Sequence, residues 1–586
     1  MKIGIHMRKL LALLLALLLV SCNVPTETPQ DTSTTEAPST TAPAAQGLSI
    51  ITDGTANYRI IRGEKAPEKM TDAAIQVRKM IGDATGVTPE ISTDWVKKGS
   101  EHDHTSLEIL VGPTDYSEST EALKDVPYGD YIITQVGNKI VINAWSADAL
   151  TKACNAFRGL VRDHRENNDL ILPADLRVTG TGNELVNQLP NCENGTMSSI
   201  YDAGNDTWLL IFEDTTPDDY SAYLEKLASS GYTLYAKNDI TDNRFATYIN
   251  DAYVINAGYY AYEKSIRATV EPRNALPPRA EDNSYEKKVQ PSVTQFGLAY
   301  PSYDGETIAS SGQGQAFQLS DGSFIIVDGG LKRDIDAKQI YEYLYANAPD
   351  PNSITIAAWI ITHAHSDHTG AYEVFTSTYA SKVKLELLIC NFPSETAKVE
   401  SGLGEDAGPS GDRIPGSLSA YPGAKLMKAH VGQEYFLRDA KVEILYTLES
   451  LAPAEFTYNT SSLIFKLELG GQTFLMLADA TQDACRIAYS MYGDYLKSDF
   501  VQAAHHGFGV GSSVYTGVTS VYSAAAAPVV LWPCSDDAFS TMNDRAASRH
   551  LIELDSTKEI FVAGDRIIRL LLPYTAGTSG QESILK

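Results

Sequence analysis

The chain has 586 residues, more than one hydrophobic core usually organises, so several domains are expected. It carries 47 basic and 74 acidic side chains, and its formal charge of −27 repels polyanions and argues against nucleic acid as a partner. Its 6 cysteines match neither a disulfide framework nor a sulfur-rich zinc site, since no CxxC pair occurs.

The first residues predict a secretion signal. Arg8 and Lys9 precede an apolar run, Leu10 to Val20, that is too short to span a bilayer and suits the core of a signal peptide. The run ends in LVSC, whose last residue is Cys22, and this sequence resembles the lipobox of bacterial lipoproteins. The resemblance implies cleavage before a lipid-modified Cys22, and thus an extracytoplasmic protein anchored to a membrane of the bacterial cell envelope. An ordinary secretion signal is the alternative.

Residues 23–47 form the next segment. They are rich in Thr, Ser and Pro and have almost no bulky apolar side chain, so they cannot bury enough surface to offset chain entropy. We expect a disordered linker here.

Residues 48–180 show an α/β pattern. A short strand, NYRIIRG, is followed by a helix from Ala66 to Thr85 that Gly86 ends. The strand SLEILVG, a hairpin that turns at Gly137-Asn138 and a helix from Ala147 to Arg162 come next. This order resembles the small α/β domain found beside the catalytic domains of several carbohydrate-active enzymes. The resemblance implies an accessory domain with glycans as candidate contacts.

Residues 185–290 predict a small α+β domain. The strand DTWLLIF precedes a helix from Pro217 to Ser230, and tyrosine-rich segments with the alternation of antiparallel strands follow. These tyrosines either line a ligand groove or pack within the sheet, and packing is the favoured interpretation. Asn274 to Asp282 has the composition of a linker.

From Val293 onwards the pattern changes. Two strands surround a turn at Ser320-Asp321-Gly322, a helix follows from Ile335 to Ala346, and Ile354 to Ile361 is apolar at nearly every position. Such a run is typical of a strand buried on both faces. It leads directly into THAHSDHTG, which begins at Thr362 and places three histidines and an aspartate on the loop that leaves the strand.

This cluster predicts a metal site, because neutral imidazole and carboxylate groups are good ligands for zinc and similar transition metals. The motif resembles the HxHxDH signature of the metallo-β-lactamase fold, a superfamily of mostly dinuclear metallohydrolases. FIIVDGG, GQTFLMLADA and FVQAAHHGFG follow the order of its other conserved segments, although Ala478 replaces a usual glycine. NTSSLIFKLELGG resembles the branch that includes the domain attached to DNA-uptake channels, and a phosphorylcholine esterase shares the layout. The resemblance implies an αββα sandwich over residues 293–575, with two accessory domains before it.

The resemblance also implies roles for the site residues. One metal lies at His363 and His365, the other at Asp367 and His368, and a bridging carboxylate lies between them. One of two adjacent histidines completes the second site, and both stay open as ligands; the other then donates a hydrogen bond to an anionic substrate oxygen. Two zinc ions are expected, with manganese or iron as alternatives. The remaining residues are the second-shell Asp328, the bridging Asp479, and His505 and His506.

His430, in KAHVGQEYF, is the one candidate for a further histidine ligand that many relatives have. It is either a ligand or a surface histidine, and the surface interpretation is favoured.

The predicted function is hydrolysis by a metal-bound hydroxide, with Asp367, His505 and His506 in catalytic roles and a phosphodiester or other ester of a small molecule or the cell envelope as substrate. Hydrolysis of a lactam or lactone ring and a glycan-binding lipoprotein with a degenerate metal site are the alternatives.

Overall fold

The computed structural model describes residues 47–298, 312–393, 413–454, 457–508, 517–578, 580 and 583–585. The signal peptide, Cys22 and the linker up to residue 46 lie outside these residues. The described residues from Leu48 onwards form one compact unit. Within the described residues, no helix has the length and apolar character needed to cross a membrane.

Residues 48–182, here called the N-terminal domain, combine two sheets with three helices. The predicted first helix spans Glu68–Thr85 and ends at Gly86, whose φ of 77° suits glycine. The predicted hairpin is confirmed, and Ser146 caps the helix that follows it by accepting a hydrogen bond from Ala149 N. The other helices are Ser117–Leu123 and Ala147–Asp163. The strands, in spatial order, are Thr55–Ala56, Leu48–Thr52, Asp169–Leu172 and Arg165–Glu166 in one sheet, and Arg177–Thr181, Asp130–Val136, Lys139–Ala144, Glu108–Val111, Arg59–Arg62 and Ile91–Thr93 in the other.

Residues 183–290, here called the middle domain, form an antiparallel sheet with the helix Pro217–Ser229 packed against it. Thr216 and Asp219 form a capping box at the start of this helix. Tyr232, Tyr248 and Tyr259 are buried, which confirms the packing interpretation for these tyrosines. The strands, in spatial order, are Thr196–Gly204, Thr207–Glu213, Ser265–Pro272, Tyr253–Tyr260, Asn243–Ile249 and Thr233–Ile240.

Residues 291–585, here called the C-terminal domain, contain two mixed sheets that pack face to face. Alternate side chains of each strand point to opposite faces, so Ile325 and Phe465 contribute to a core between the sheets. Phe324 and Val501 instead point outward, into two further cores that the helices cover. The predicted αββα sandwich is confirmed.

The first sheet has its central strands parallel. Its strands, in spatial order, are Lys425–Lys428, Leu387–Cys390, Ile354–Ile360, Phe324–Asp328, Gly314–Gln318, Ser292–Gln295 and Ile568–Leu571, with Val383–Leu385 paired to Ile354–Ile360. The second sheet consists of Glu434–Leu437, Ala440–Tyr446, Ile464–Leu469, Gln472–Met476, Phe500–Gln502, Val529–Trp532, Glu559–Val562 and Ile584–Leu585. The helices are Asp334–Asn347, Ser366–Tyr379, Arg413–Gly416, Gln482–Tyr492, Gly517–Ala525, Asp536–Met542 and Ala546–Glu553.

Candidate metal centre

The histidine-rich loop follows the carboxyl end of the buried strand Ile354–Ile360, where the sheet topology brings several loops together. His363 is fully buried in this loop. His365 is the residue immediately before the helix Ser366–Tyr379, so Asp367 and His368 lie in the first turn of that helix. The end of the strand and the start of the helix thus bring the side chains of four potential ligands into one region, namely His363, His365, Asp367 and His368.

Asp328 holds this loop from the end of the neighbouring strand. One of its carboxylate oxygens accepts a hydrogen bond from Thr362 N at 2.8 Å, and the other lies 2.7 Å from His368 Nδ1. With His368 Nδ1 donating its proton to Asp328, the neutral form of this ring has its lone pair on Nε2. Asp328 thus has the supporting position that the sequence predicts.

Asp479 lies between the histidines on the loop after the strand Gln472–Met476. Its Oδ1 is 3.2 Å from His368 Nε2 and 3.3 Å from His506 Nε2. Its Oδ2 is 3.8 Å from His363 Nε2 and 3.7 Å from His505 Nε2. Each oxygen of this buried carboxylate therefore faces a different pair of imidazole rings.

The two adjacent histidines differ in their surroundings. His506 Nδ1 donates to Pro533 O at 2.8 Å, and His506 Nε2 lies 3.3 Å from Asp367 Oδ2. A hydrogen bond from the second ring nitrogen to a carbonyl is usual for a histidine that binds metal. His505 Nδ1 has no hydrogen-bond partner among the described residues, while His505 Nε2 lies 3.3 Å from Asn459 Nδ2. The two rings thus have different neighbours, since His506 lies beside Asp367 and His505 lies beside Asn459.

Backbone conformation separates these two rings. His505 and His506 have φ values of 48° and 53°, in the left-handed region that costs a residue with a side chain about 1 kcal/mol or more. Trp532 Nε1 donates to His506 O at 2.9 Å and helps to hold this conformation. Strain of this kind is common where a loop must aim side chains at a site.

Two groups of potential ligand atoms result, and within each group the atoms lie within 4.8 Å of one another. One group consists of His363, His368 and Asp479, and the other of Asp367, His368 and His506. His365 is outside both, although its Nδ1 is 3.0 Å from His363 Nε2. The structure thus brings together the predicted signature residues, Asp479 and His506.

The donor set fits a cation. Asp479 Oδ1 is buried and accepts no hydrogen bond from the described residues. It faces Nε2 of His368 and of His506, whose other ring nitrogens lie beside Asp328 and Pro533 O. These three atoms lie about 3.3 Å apart, so they need positive charge among them, either as protons on the rings or as a metal ion. A metal ion held by these residues supplies that charge.

The pKa values of the site agree with this interpretation. Burial lowers the pKa of His363 well below its ordinary value, so this ring is neutral and able to bind metal. Burial acts in the same direction on His506, but Asp479 and Asp367 outweigh it and raise its pKa to about 9. Asp479 stays ionised because its neighbouring histidines, His506 first, outweigh burial and hold its pKa well below the ordinary value. The carboxylates thus attract a cation to this point.

His430 is buried in the folded protein. The prediction that it is a surface histidine is wrong, because His430 is only 1% exposed. Its Nδ1 is 3.0 Å from Glu449 Oε2 and its Nε2 is 3.5 Å from Glu271 Oε1. The candidate groups of described residues do not include it. Its partners are 19 and 159 positions away in sequence, so no local pattern indicated them.

Sequence reasoning gave no role to Thr362 and Asn459. Thr362 contacts Asp328 through both its backbone N–H and its hydroxyl group, each at 2.8 Å. Asn459 lies beside His505. A signal for Thr362 existed, since a hydroxyl residue directly before the first histidine can bond the aspartate that supports the loop.

Comparison with known proteins agrees with this geometry. Residues 312–421 match the family model of the metallo-beta-lactamase superfamily. The C-terminal domain is a metallo-β-lactamase-fold domain. The matched stretch contains Asp328 and the signature loop, while Asp479 and His506 lie beyond it. No curated protein matches the chain in sequence.

Several solved structures resemble the chain. The metallo-beta-lactamase fold protein YhfI from Bacillus subtilis shares 15% identity at a TM-score of 0.30, over 47% of this chain and 99% of YhfI. CmlA, a diiron beta-hydroxylase from Streptomyces venezuelae, shares 15% at 0.30, over 52% of this chain and 55% of CmlA. The metallo-beta-lactamase FIM-1 from Pseudomonas aeruginosa, in its mono-zinc form, shares 11% at 0.21, over 57% and 88%. The chain therefore covers little more than half of CmlA.

Proposed function

We propose that this metallo-β-lactamase-fold domain is a metal-dependent hydrolase with one cation on each side of Asp479. The observation that carries the proposal is the division of this carboxylate, whose Oδ1 faces His368 and His506 and whose Oδ2 faces His363 of the signature loop. A carboxylate with one oxygen towards each of two ligand sets is the arrangement that bridges two ions.

The residues then have distinct roles. His506, Asp367 and His368 hold one ion, and His363 and His365 hold the other, with Asp479 shared. Zinc suits this set of nitrogen and carboxylate donors, and manganese and iron are the alternatives that metal analysis separates. When bound, the ions supply a water molecule of lowered pKa and stabilise charge on the attacked group.

His505 is left for the substrate in this assignment. Its ring lies beside Asn459 at the edge of the site, and 24% of its side chain is exposed. An imidazole and an amide at this position can donate hydrogen bonds to an anionic or carbonyl oxygen as charge develops there. We propose an ester substrate for this reason, with a phosphodiester of the cell envelope as the leading candidate.

We propose a location at the cell envelope from the sequence of the first 22 residues. The signal-like run before Cys22 supports export, and a lipid on Cys22 would anchor the domain at the envelope. The net charge of −27 makes envelope esters better candidates than nucleic acids.

The test is metal analysis of the purified full chain, together with turnover of bis-p-nitrophenyl phosphate. We expect about two bound ions, and we expect His365→Ala to lose metal and at least about 10²-fold in rate. His164→Ala, which changes a histidine of the N-terminal domain, is the matched control. A wild-type protein that is folded and binds no transition metal from a metal-supplemented medium would refute the proposal.

Hydrolysis of a lactam or lactone ring would use the same ions and the same His505 contact. Nitrocefin and a lactone series therefore belong in the assay beside the phosphodiester. Turnover of a ring substrate alone would replace the phosphodiester and keep the metal-dependent hydrolase.

A further inference from the structure

One segment of the C-terminal domain connects the metal centre to the middle domain. It begins with the turn Leu448–Ser450 and ends with the turn Asn459–Ser461, and residues 455–456 between them lie outside the described part. At its far end Asn459 lies 3.3 Å from His505, and the Tyr458 ring centroid is 5.7 Å from that of His365. Immediately after it, Leu463 N donates to Thr362 O at 3.0 Å. The end of the segment therefore forms a wall of the candidate site.

The beginning of the segment is bound by an arginine of the middle domain. Arg267, on the strand Ser265–Pro272, donates from one guanidinium nitrogen to Glu449 O at 2.6 Å and to Ala452 O at 2.8 Å. Its side chain is 9% exposed, and its second terminal nitrogen pairs with Glu263 at 3.0 Å. A buried guanidinium fixes two carbonyl groups at once because its donors have a rigid, planar arrangement.

Apolar contacts add to this attachment. Ala452 packs with Leu209 and Ile211 of the middle-domain sheet, and all three are buried. The Arg267 guanidinium also lies 5.3 Å from the centroid of the Tyr260 ring. The start of the segment is thus in contact with the middle domain through both backbone and side chains.

The Glu449 side chain ties the same point to the C-terminal domain. Its carboxylate accepts a hydrogen bond from Asn391 Nδ2 at 3.0 Å and lies 3.0 Å from His430 Nδ1. Glu449 therefore has its backbone bound by one domain and its side chain by the other. Displacement of the middle domain would move the start of the segment relative to the metal centre.

We infer that the middle domain supports the candidate site through Arg267, a positioning residue that holds residues 449 and 452 and thereby acts on Tyr458 and Asn459 further along the same segment. The inference rests on the proposed hydrolase function for its effect on turnover. It does not rest on that function for its structural effect, which is order in the segment.

The first test is hydrogen exchange of the full-length protein. Arg267→Ala removes both hydrogen bonds to the segment, so we expect amides of residues 447–463 to exchange at least about ten-fold faster, while residues 359–370 keep their rates. Arg273→Ala is the matched control, because Arg273 directly follows the same strand and donates to Asn250 O within the middle domain. Unchanged exchange in residues 447–463 of Arg267→Ala would overturn the inference.

The second test is steady-state kinetics with the substrate that the wild type hydrolyses. A misplaced site wall lowers kcat/KM, and we expect a loss of about 10- to 100-fold for Arg267→Ala with unchanged metal content. Asn459→Ala alone should lower kcat/KM by a similar factor. The double variant Arg267→Ala/Asn459→Ala should be only slightly slower than Asn459→Ala, because both substitutions act on the same contact. Fully additive losses, or loss of metal in Arg267→Ala, would contradict a positioning role.

Arg267→Met covers the case in which the alanine variant does not fold. Methionine keeps an apolar stem and has no hydrogen-bond donor, so it removes both bonds to the segment, and faster exchange and lower kcat/KM are expected. If the methionine variant matches the wild type in both measurements, the two-carbonyl contact has no positioning role and the inference fails. If the wild type hydrolyses no ester and no ring substrate, the proposed function fails while hydrogen exchange still decides the role of Arg267.

Discussion

His430 gives a quantitative prediction about the junction between the middle and C-terminal domains. Burial alone would lower its pKa, but the carboxylates of Glu449 and Glu271 outweigh burial and raise the pKa to about 9. Lys428 is a further cation at this junction, and its ammonium group donates to Ala203 O at 2.6 Å. His430 is therefore charged at neutral pH in the folded protein.

The size of the effect follows from the two pKa values. A histidine in an unfolded chain has a pKa of about 6.5, so folding raises it to about 9 and protonation favours the folded state. The contribution is about 3 kcal/mol well below pH 6.5, between about 2 and 3 kcal/mol at pH 7, and nearly zero above pH 10. Stability from this group is thus present in acid and lost as the pH rises through 9.

The measurement is urea unfolding of the wild type and of His430→Gln at pH 6, 7, 8.5 and 10. The difference in unfolding free energy between the two proteins should be larger at pH 7 than at pH 10 by about 2 to 3 kcal/mol. His550→Gln, which changes a histidine bonded to Ser523, is the control and should show no such trend. An equal difference between wild type and His430→Gln at pH 7 and pH 10 would refute the reasoning.

Three further predictions concern the metal centre and the domain junction. Asp328→Asn should lower metal affinity about 10- to 100-fold in a chelator competition titration, because His368 loses its charged partner. Gly432→Ala should destabilise the protein by more than about 2 kcal/mol in urea unfolding, since its Cβ would lie 2.1 Å from a Phe245 ring atom; Gly471→Ala, with a similar φ and no atom within 4 Å, is the control and should cost only about 1 kcal/mol. Removal of metal with EDTA should lower the thermal unfolding midpoint, and addition of zinc should restore it, because the ions bind only the folded centre.

Much of the fold could be predicted because its signals are local. The helix Glu68–Thr85 lies within two residues of the predicted bounds, since its apolar period and Gly86 belong to one stretch of chain. The strand Ile354–Ile360 was equally clear, because burial on both faces leaves a continuous apolar run. The signature loop follows this strand, and its candidate ligands are close in sequence, so they could be predicted to lie together without the tertiary structure.

The choice between His505 and His506 could not be predicted in this way. Both residues have left-handed backbone conformations, so the alternation of a strand does not apply to them. Their directions depend on Pro533, Trp532 and Asn459, which come from other parts of the chain. Only the folded loop shows that one ring turns towards Asp367 and the other towards Asn459.

The contacts of the middle domain could not be predicted for the same reason, because they depend on distant parts of the chain. The sequence of residues 185–290 shows a sheet with an apolar face, but it does not show what else the sheet contacts. In the structure Lys428, His430 and Glu449 of the C-terminal domain are all buried, and each has a described contact in the middle domain. A C-terminal domain produced alone would expose these charged groups and leave the carbonyls of Glu449 and Ala452 without Arg267. Because a charged group is costly to bury without a partner, and these partners come from both sides of the junction, the middle and C-terminal domains form one structural unit.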